Sequence, residues 1–188
     1  MNIDYYKPLS EEFIGNNKDE IDWDYISAYQ KLSEKFIKEF QNKIEWNNIS
    51  FFQKLSENFI REFQDKVYWN YISNSQILSE NFIREFQDKV YWDHISHYQI
   101  LSENFIREFQ DKIDWFFISV YQKLSEDFIR EFKNKINWIN LLNIYGYDCK
   151  LNTDNNYQIE SENYKSNYLK FDEFVNLALK LISLKAFQ

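Results

Sequence analysis

A strict 23-residue period constrains this chain more than any other feature. The tryptophans all keep this spacing: Trp23, Trp46, Trp69, Trp92, Trp115 and Trp138. Six units tile residues 9–146 without an insertion: 9–31, 32–54, 55–77, 78–100, 101–123 and 124–146. Such a repeat is typical of small units that bury their apolar faces against their neighbours. With two Gly and one Pro in 188 residues, the chain lacks the turn residues that β-sandwiches and doubly wound α/β folds need.

The first half of each unit predicts a short helix, helix A. In residues 55–67, Ser56 is placed to cap the free backbone N–H groups of the first turn. Phe59, Phe63 and Val67 recur every four residues and predict an apolar stripe along this helix.

The second half predicts another short helix, helix B, over residues such as 114–123. Asp114 is a good N-cap residue, whereas Tyr68 and Tyr91 occupy the same repeat position and cannot cap well. One unbroken helix per two units is an alternative. It is disfavoured because 23 residues rotate the apolar stripe by about 140° per unit, so that no continuous seam forms.

The ends of the array differ from the repeat. In the first unit, Gly15, Asn16 and Asn17 replace the Arg, Glu and Phe of later units, as suits a terminal repeat with an uncovered face. Gly146 is placed to end the last helix B. Residues 147–163 are polar and indicate a loop or a small hairpin. A C-terminal helix from Asp172 is expected to cover the last repeat through these residues: Phe174, Leu177, Leu181 and Leu184.

These patterns predict an all-α fold. The expected architecture is an N-terminal lead-in over residues 1–8, an α-solenoid of six two-helix repeats over 9–146, and a polar loop with a capping helix over 147–188. The repeated tryptophans are expected in the core. The serines and glutamines on the same face of helix B are expected to hydrogen-bond between successive units.

Repeat positions 16, 17 and 20, all on helix B, vary from unit to unit while the framework stays constant. They are expected to line up as a stripe that binds a protein or peptide partner, although drifting surface or packing between repeats would also explain the variation. In the second to fifth units the stripe comprises Asn47, Asn48, Phe51, Asn70, Tyr71, Asn74, Asp93, His94, His97, Phe116, Phe117 and Val120.

Other function classes receive less support. A helical array that reads nucleic acid is the alternative, since Asn, Tyr, His and Asp can contact bases, but a net charge of −8 opposes it. His94 and His97 with Asp93 lack a further metal ligand, and Cys149 has no basic or histidine neighbour in sequence. The sequence therefore predicts neither an enzyme nor a cofactor or metal site.

No apolar run approaches the roughly 20 residues that span a bilayer. The start of the chain, MNIDYYKPLSEE, lacks the features of a secretory signal, and a single cysteine suits a reducing compartment. We therefore expect a cytoplasmic protein without membrane partners.

The pattern LSExFIxEFxxKxxWxxIS, as in residues 78–96, resembles a tandem-repeat motif of uncharacterised proteins from giant DNA viruses and some bacteria. The resemblance covers residues 9–146, and the first unit and residues 147–188 depart from it. It implies a helical-repeat architecture and an origin in that group. The cytoplasm of a virus-infected host cell is therefore one expected location. The resemblance implies no activity.

Overall fold

The computed structural model describes residues 4–5, 7–162, 164–167 and 169–186. The chain divides into two compact units, Met1–Gln99 and Ile100–Gln188. The division falls at the end of the fourth repeat, so the first unit holds four repeats and the second holds two repeats with the C-terminal elements.

Each repeat contains two short helices, and the 23-residue periodicity of helices predicted from the sequence is confirmed. The A helices have six residues each and are α1 (Glu11–Asn16), α3 (Glu34–Glu39), α5 (Glu57–Glu62), α7 (Glu80–Glu85), α9 (Glu103–Glu108) and α11 (Glu126–Glu131). The B helices have seven residues each and are α2 (Trp23–Tyr29), α4 (Trp46–Phe52), α6 (Trp69–Ser75), α8 (Trp92–Tyr98), α10 (Trp115–Tyr121) and α12 (Trp138–Ile144).

The predicted caps are confirmed. The serine before each A helix accepts a hydrogen bond from the N–H group three residues later, as Ser56 does from Phe59 at 3.2 Å. Asp114 accepts from the Phe116 N–H, whereas Tyr68 and Tyr91 make no side-chain cap. The cap residues are extended, with ψ of 153° at Ser56 and 103° at Tyr68, so the unbroken helix considered as an alternative does not occur.

Helix A is shorter than the predicted stripe of apolar residues. Helix α5 ends at Glu62, with Phe63 as its C-cap, and the chain continues as a hydrogen-bonded turn. In this turn the N–H groups of Lys66 and Val67 donate to the Phe63 carbonyl at 2.9 and 3.1 Å. Phe63 and Val67 are still buried. The residues of the stripe are therefore buried as expected, but Val67 belongs to the turn that follows the helix.

Helices this short need support from their neighbours. Isolated helices of fewer than about 12 residues are marginal in water. Each A helix and each B helix accordingly contributes an apolar residue of nearly zero exposure, such as Ile60 and Ile72 in the third repeat. Within each compact unit, apolar packing between adjacent repeats, rather than helix propensity, holds these elements together.

The tryptophans are less buried than predicted. Trp46 is half-buried, with its indole N–H donating to the Gln41 carbonyl at 3.1 Å. Its ring contacts Phe59 and Phe63 of the next repeat, at centroid distances of 6.3 and 5.0 Å. The first five tryptophans share this half-buried state, and Trp138 alone of the six is buried. The Trp46 ring lies at the boundary between the second and third repeats and is not fully enclosed there.

The all-α prediction is wrong for the segment after the last repeat. Three strands in this segment form an antiparallel sheet in the order β1–β2–β3: β1 (Asp148–Leu151), β2 (Tyr157–Ser161) and β3 (Tyr164–Lys165). The small hairpin considered as an alternative to a loop is therefore the better description. Asn155 permits the β1–β2 turn, since its φ of 56° is one that Asn tolerates.

The C-terminal helix packs against the last repeat, within the second unit. Helix α13 (Phe171–Ala186) buries Phe174, Ala178 and Ile182 in one apolar cluster with Trp138 and Leu142 of α12. The predicted packing face is wrong in part. Leu184 is 56 % exposed and Leu177 only half-buried, because the buried face also includes residues 175 and 179.

Gly146 ends α12 as predicted. Its φ is 76°, and the N–H groups of Gly146 and Tyr147 donate to the carbonyls of Asn143 and Leu142 at 3.0 and 3.1 Å. This pair of hydrogen bonds is the Schellman motif, which closes a helix with a left-handed residue.

Candidate functional site

A buried glutamine in each repeat from the second to the fourth fixes helix B on the repeat before it. Gln53 Nε2 donates to the carbonyls of Ser27 and Gln30 at 2.9 and 2.8 Å, and its Oε1 accepts from the Leu32 N–H at 3.1 Å. Gln76 and Gln99 repeat these contacts one and two repeats later. The amide thus satisfies three backbone groups that would otherwise be buried without partners.

A buried serine makes a second link. Ser50 Oγ accepts from the Tyr68 N–H of the next repeat at 2.9 Å and donates to the Trp46 carbonyl at 2.7 Å. The expected hydrogen bonding of serine and glutamine between repeats is therefore confirmed. These polar groups orient helix B and leave its opposite face outward.

The lead-in segment takes the place of a preceding repeat for Gln30. In the first repeat, Gln30 Nε2 donates to the carbonyls of Tyr5 and Lys7 at 3.1 and 3.3 Å. Its Oε1 accepts from the Leu9 N–H at 2.8 Å, as in the later repeats. This role of the lead-in was not predicted, because nothing in residues 1–8 resembles helix B.

The predicted stripe on helix B is exposed to different degrees along its three positions. Position 16 is exposed at Asn47, Asp93 and Phe116 and half-buried at Asn70. At position 20, Phe51 is 41 % exposed, whereas the other members are half-buried. The half-buried members at positions 17 and 20 are Asn48, Tyr71, Asn74, His94, His97, Phe117 and Val120.

Position 17 makes contacts between repeats. Asn48 Nδ2 donates to the Asp24 carbonyl at 3.1 Å, and His94 Nδ1 lies 2.9 Å from the Asn70 carbonyl. Because a carbonyl oxygen only accepts, this histidine nitrogen carries a proton. These side chains at position 17 therefore take part in packing between repeats. Such packing was one of the alternative explanations for the variation at this position.

A line of aromatic rings, which we call the aromatic ridge, crosses the first three repeats. It comprises Tyr5, Tyr25, Tyr29, Phe52, Phe51, Tyr71 and Tyr68. Taken in this order, neighbouring centroids are 5.1, 4.5, 5.9, 4.7, 5.1 and 6.4 Å apart. Three of these rings lie at the variable positions of the predicted stripe, Tyr25 and Tyr71 at position 17 and Phe51 at position 20.

Repeat position 21, which was not among the predicted site positions, supplies the most exposed ring of the ridge. Tyr29 is 66 % exposed and Phe52 49 %, and Tyr98 and Tyr121 at the same position are 53 % and 54 % exposed. The signal was available in the sequence. Four of the six repeats have an aromatic at this position, next to the variable positions and outside the face formed by the buried isoleucine, serine and glutamine.

A cavity of about 370 Å³ opens between the C-terminal ends of α2 and α4. Tyr29 and Phe52 form its apolar walls, with their centroids 5.9 Å apart, and the exposed Lys31 and Lys54 also line it. The ridge thus has a recess that combines aromatic surface with two positive charges.

The second unit also exposes apolar side chains on its B helices. Phe116 is 45 % exposed and lies 5.2 Å from Phe117, which stacks on Tyr121 at 6.2 Å. Ile139 and Ile144 of α12 are 55 % and 54 % exposed. Both compact units therefore expose apolar side chains on their B helices.

The two histidines and the cysteine are the side chains that the sequence offered for metal binding or nucleophilic chemistry. His94 Nε2 lies 3.9 Å from Asp93 Oδ2, and the His97 ring stacks on Tyr98 at 4.0 Å. Burial raises the pKa of the Cys149 thiol to about 11, which disfavours its nucleophilic thiolate form. Among the described residues, His, Cys, Asp and Glu side chains nowhere converge in a group of three or more that could hold a metal ion.

Two carboxylates have lowered pKa values for a simple reason. Hydrogen bonding and attraction to Lys43 lower the pKa of Asp19, and Lys150 does the same for Glu160. The Lys43–Asp19 pair is exposed, as is typical of surface ion pairs, whereas the Glu160 side chain is half-buried.

Over the described residues, helices that combine the length and the apolar character needed to cross a membrane are absent.

Comparison with known proteins gives no relative: this chain matches no protein-family model, no curated protein and no solved structure.

Proposed function

We propose that this protein is a non-enzymatic α-solenoid scaffold that binds a protein or peptide partner through the outward face of its B helices. The aromatic ridge is the observation that carries this proposal. Large exposed aromatic patches are rare on monomeric proteins, and Tyr and Trp are enriched among the residues that dominate binding energy at interfaces.

The construction of the repeats supports this proposal. The glutamine and serine hydrogen bonds are the same from repeat to repeat, so side chains on the outer face of helix B can change without loss of the framework. Tyr29, Phe52 and Ser75 occupy the same repeat position and differ widely in size and polarity. A fixed framework with a varied face suits selective recognition of an extended partner.

The recess between Tyr29 and Phe52 indicates the chemistry of the partner. It offers aromatic walls to an apolar side chain, and Lys31 and Lys54 to a carboxylate. We therefore propose an extended peptide in which an apolar anchor is flanked by acidic residues.

A residue already present in the third repeat suggests the substitution that tests this proposal. Ser75 shows that serine is compatible with position 21, so the double variant Tyr29→Ser/Phe52→Ser removes the walls of the recess with little effect on folding. Peptides selected from a random display library on the native chain are titrated against both proteins by fluorescence anisotropy. We expect the double variant to weaken binding by about tenfold to a hundredfold, because two central anchors are lost.

The matched control is Asn58→Lys, which copies Lys35 onto helix A, away from the ridge. It should leave the affinity unchanged. Selected peptides that bind the native chain and the double variant equally well would contradict the proposal.

Nucleic acid remains the second candidate, favoured by the combination of stacked aromatic rings with Lys31 and Lys54. The acidic net charge opposes it. Titration with a labelled single-stranded RNA at low salt separates the two, since nucleic-acid binding must weaken steeply as salt is added.

A further inference from the structure

Arginines of helix A lie on the next repeat in a recurrent arrangement. Arg61 Cζ lies 5.0 Å from the centroid of the Phe82 ring, and its Nε donates to Glu85 Oε2 at 2.8 Å. The Nη1 of the same side chain donates to Asn58 Oδ1 at 3.1 Å. A guanidinium group is thus held by an aromatic face and a carboxylate of the following repeat, with an amide oxygen of its own repeat.

The second compact unit contains the same arrangement. Arg107 Cζ lies 4.9 Å from the Phe128 centroid, and its Nε donates to Glu131 Oε2 at 2.8 Å. Its Nη1 donates to Asn104 Oδ1 at 3.3 Å. The arrangement therefore belongs to the repeat and is not an accident of one pair of side chains.

The first repeat lacks the arginine but keeps its receptor. Gly15 occupies the arginine position, while the second repeat retains Phe36 and Glu39 at the positions of Phe82 and Glu85. A cavity of about 670 Å³ lies there, lined by Gly15, Phe36, Glu39 and Phe40 among others. Phe40 is half-buried, whereas the equivalent phenylalanines of later repeats are buried.

Three glutamates, Glu11, Glu12 and Glu39, and three lysines, Lys18, Lys35 and Lys43, line this cavity, and Glu39 is the carboxylate that suits a cation. Among the described residues, the Glu39 carboxylate has no ion-pair partner, although its equivalents Glu62, Glu85 and Glu131 are paired with Lys38, Arg61 and Arg107. Glu12 stands where the later repeats have the Asn that accepts from the arginine. Lys43, which also lines the cavity, is already bound to Asp19 Oδ1 at 2.6 Å.

We propose that this cavity is a receptor for an arginine side chain of a peptide partner, with the guanidinium stacked on Phe36 and paired with Glu39 and Glu12. The chain itself shows the bound state twice, at Arg61 and Arg107. A planar guanidinium can stack and donate in a fork at once, which an ammonium group cannot do. We therefore expect arginine to bind more tightly than lysine, although Lys38 pairs with Glu62 at the equivalent position of the second repeat.

The probe is the peptide acetyl-Gly-Arg-Gly-amide, titrated into the full chain while NMR signals of Phe36, Glu39 and Phe40 are followed. A single side chain gives weak binding, with a dissociation constant on the order of millimolar. We expect saturable shifts at these residues and about fivefold weaker binding of the lysine peptide. The neutral citrulline peptide, in which the guanidinium is replaced, should not bind.

Two substitutions at one position provide the decisive comparison. Gly15→Arg places the missing side chain in the cavity and should abolish binding, whereas Gly15→Ala leaves the cavity open and should retain it. The nearest atom to a Cβ at position 15 is Phe40 Cζ at 3.5 Å, an ordinary contact, so both variants fit. Circular dichroism confirms that both are folded.

Equal binding by Gly15→Arg and Gly15→Ala, or no shift at Phe36 and Glu39 with the arginine peptide, would overturn the proposal. The cavity involves helix A, and the aromatic ridge involves helix B. Failure of this site therefore says nothing about binding at the ridge, and the Tyr29→Ser/Phe52→Ser variant should bind the arginine peptide normally.

Discussion

Changing the buried Gln53 to glutamate tests whether the glutamine contacts hold the repeats together. The substitution keeps the shape of the side chain but replaces the amide donor with an acceptor. Gln53 Nε2 donates to two carbonyls, those of Ser27 and Gln30, at 2.9 and 2.8 Å. A carboxylate at this place leaves both carbonyls without a donor and adds a negative charge beside them.

The magnitude follows from these two lost hydrogen bonds. A buried polar group left without a partner costs about 1–3 kcal/mol, so two carbonyls give a loss of about 2–6 kcal/mol in the free energy of unfolding at pH 7. Burial of the charge adds to this loss, since Gln53 is only 7 % exposed. Urea unfolding followed by both tryptophan fluorescence and circular dichroism measures the change.

The loss of stability caused by Gln53→Glu must also depend on pH. Once protonated, the carboxyl group introduced by Gln53→Glu donates again to one carbonyl, so folding raises its pKa above the unfolded value of about 4.3. The deficit relative to the native chain should be smallest below that unfolded pKa and should grow as the pH rises through the folded pKa.

Gln64→Glu is the matched control. Gln64 is half-buried and its Oε1 accepts from Lys89 Nζ at 2.9 Å, so a carboxylate there gains an ion pair. We expect a change within about 1 kcal/mol, in the stabilising direction. Equal losses for the two variants, or a Gln53→Glu deficit that does not change with pH, would refute the reasoning.

Three further predictions concern single residues. Gly15→Arg should raise the free energy of unfolding by about 1 kcal/mol, because it replaces a helical glycine and adds the missing ion pair; a lower melting temperature would contradict this. Trp115→Ala should cost about 3 kcal/mol in urea unfolding, at the low end for a lost tryptophan because the ring is half-buried. Iodoacetamide should label Cys149 about a hundredfold more slowly in the folded chain than in urea at pH 8, since burial raises its pKa from 9.0 to about 11. This shift also predicts that stability falls as the pH rises from about 9 to about 11, because the unfolded thiol ionises first.

The candidate site could be predicted in outline only. The varied positions of helix B were visible in the sequence, but the partial burial of Asn48 and His94 was not, since their partners lie 24 residues away. The exposure of Tyr29 and Phe52 was not predicted, because an aromatic that recurs at position 21 looks like part of the constant unit. The cavity beside Gly15 was visible in the sequence only as a polar end of the array.

What the sequence determined by itself is local and periodic. The 23-residue spacing, the serine caps and the left-handed Gly146 specify short paired helices, because each depends on groups within about four residues along the chain. The tertiary structure decided how far each tryptophan is buried, that three strands after the last repeat form a sheet, and which groups face the cavity beside Gly15. The physical reason is that burial, strand pairing and cavities depend on which surfaces meet, and helices of six or seven residues have no stable form until their neighbours cover them.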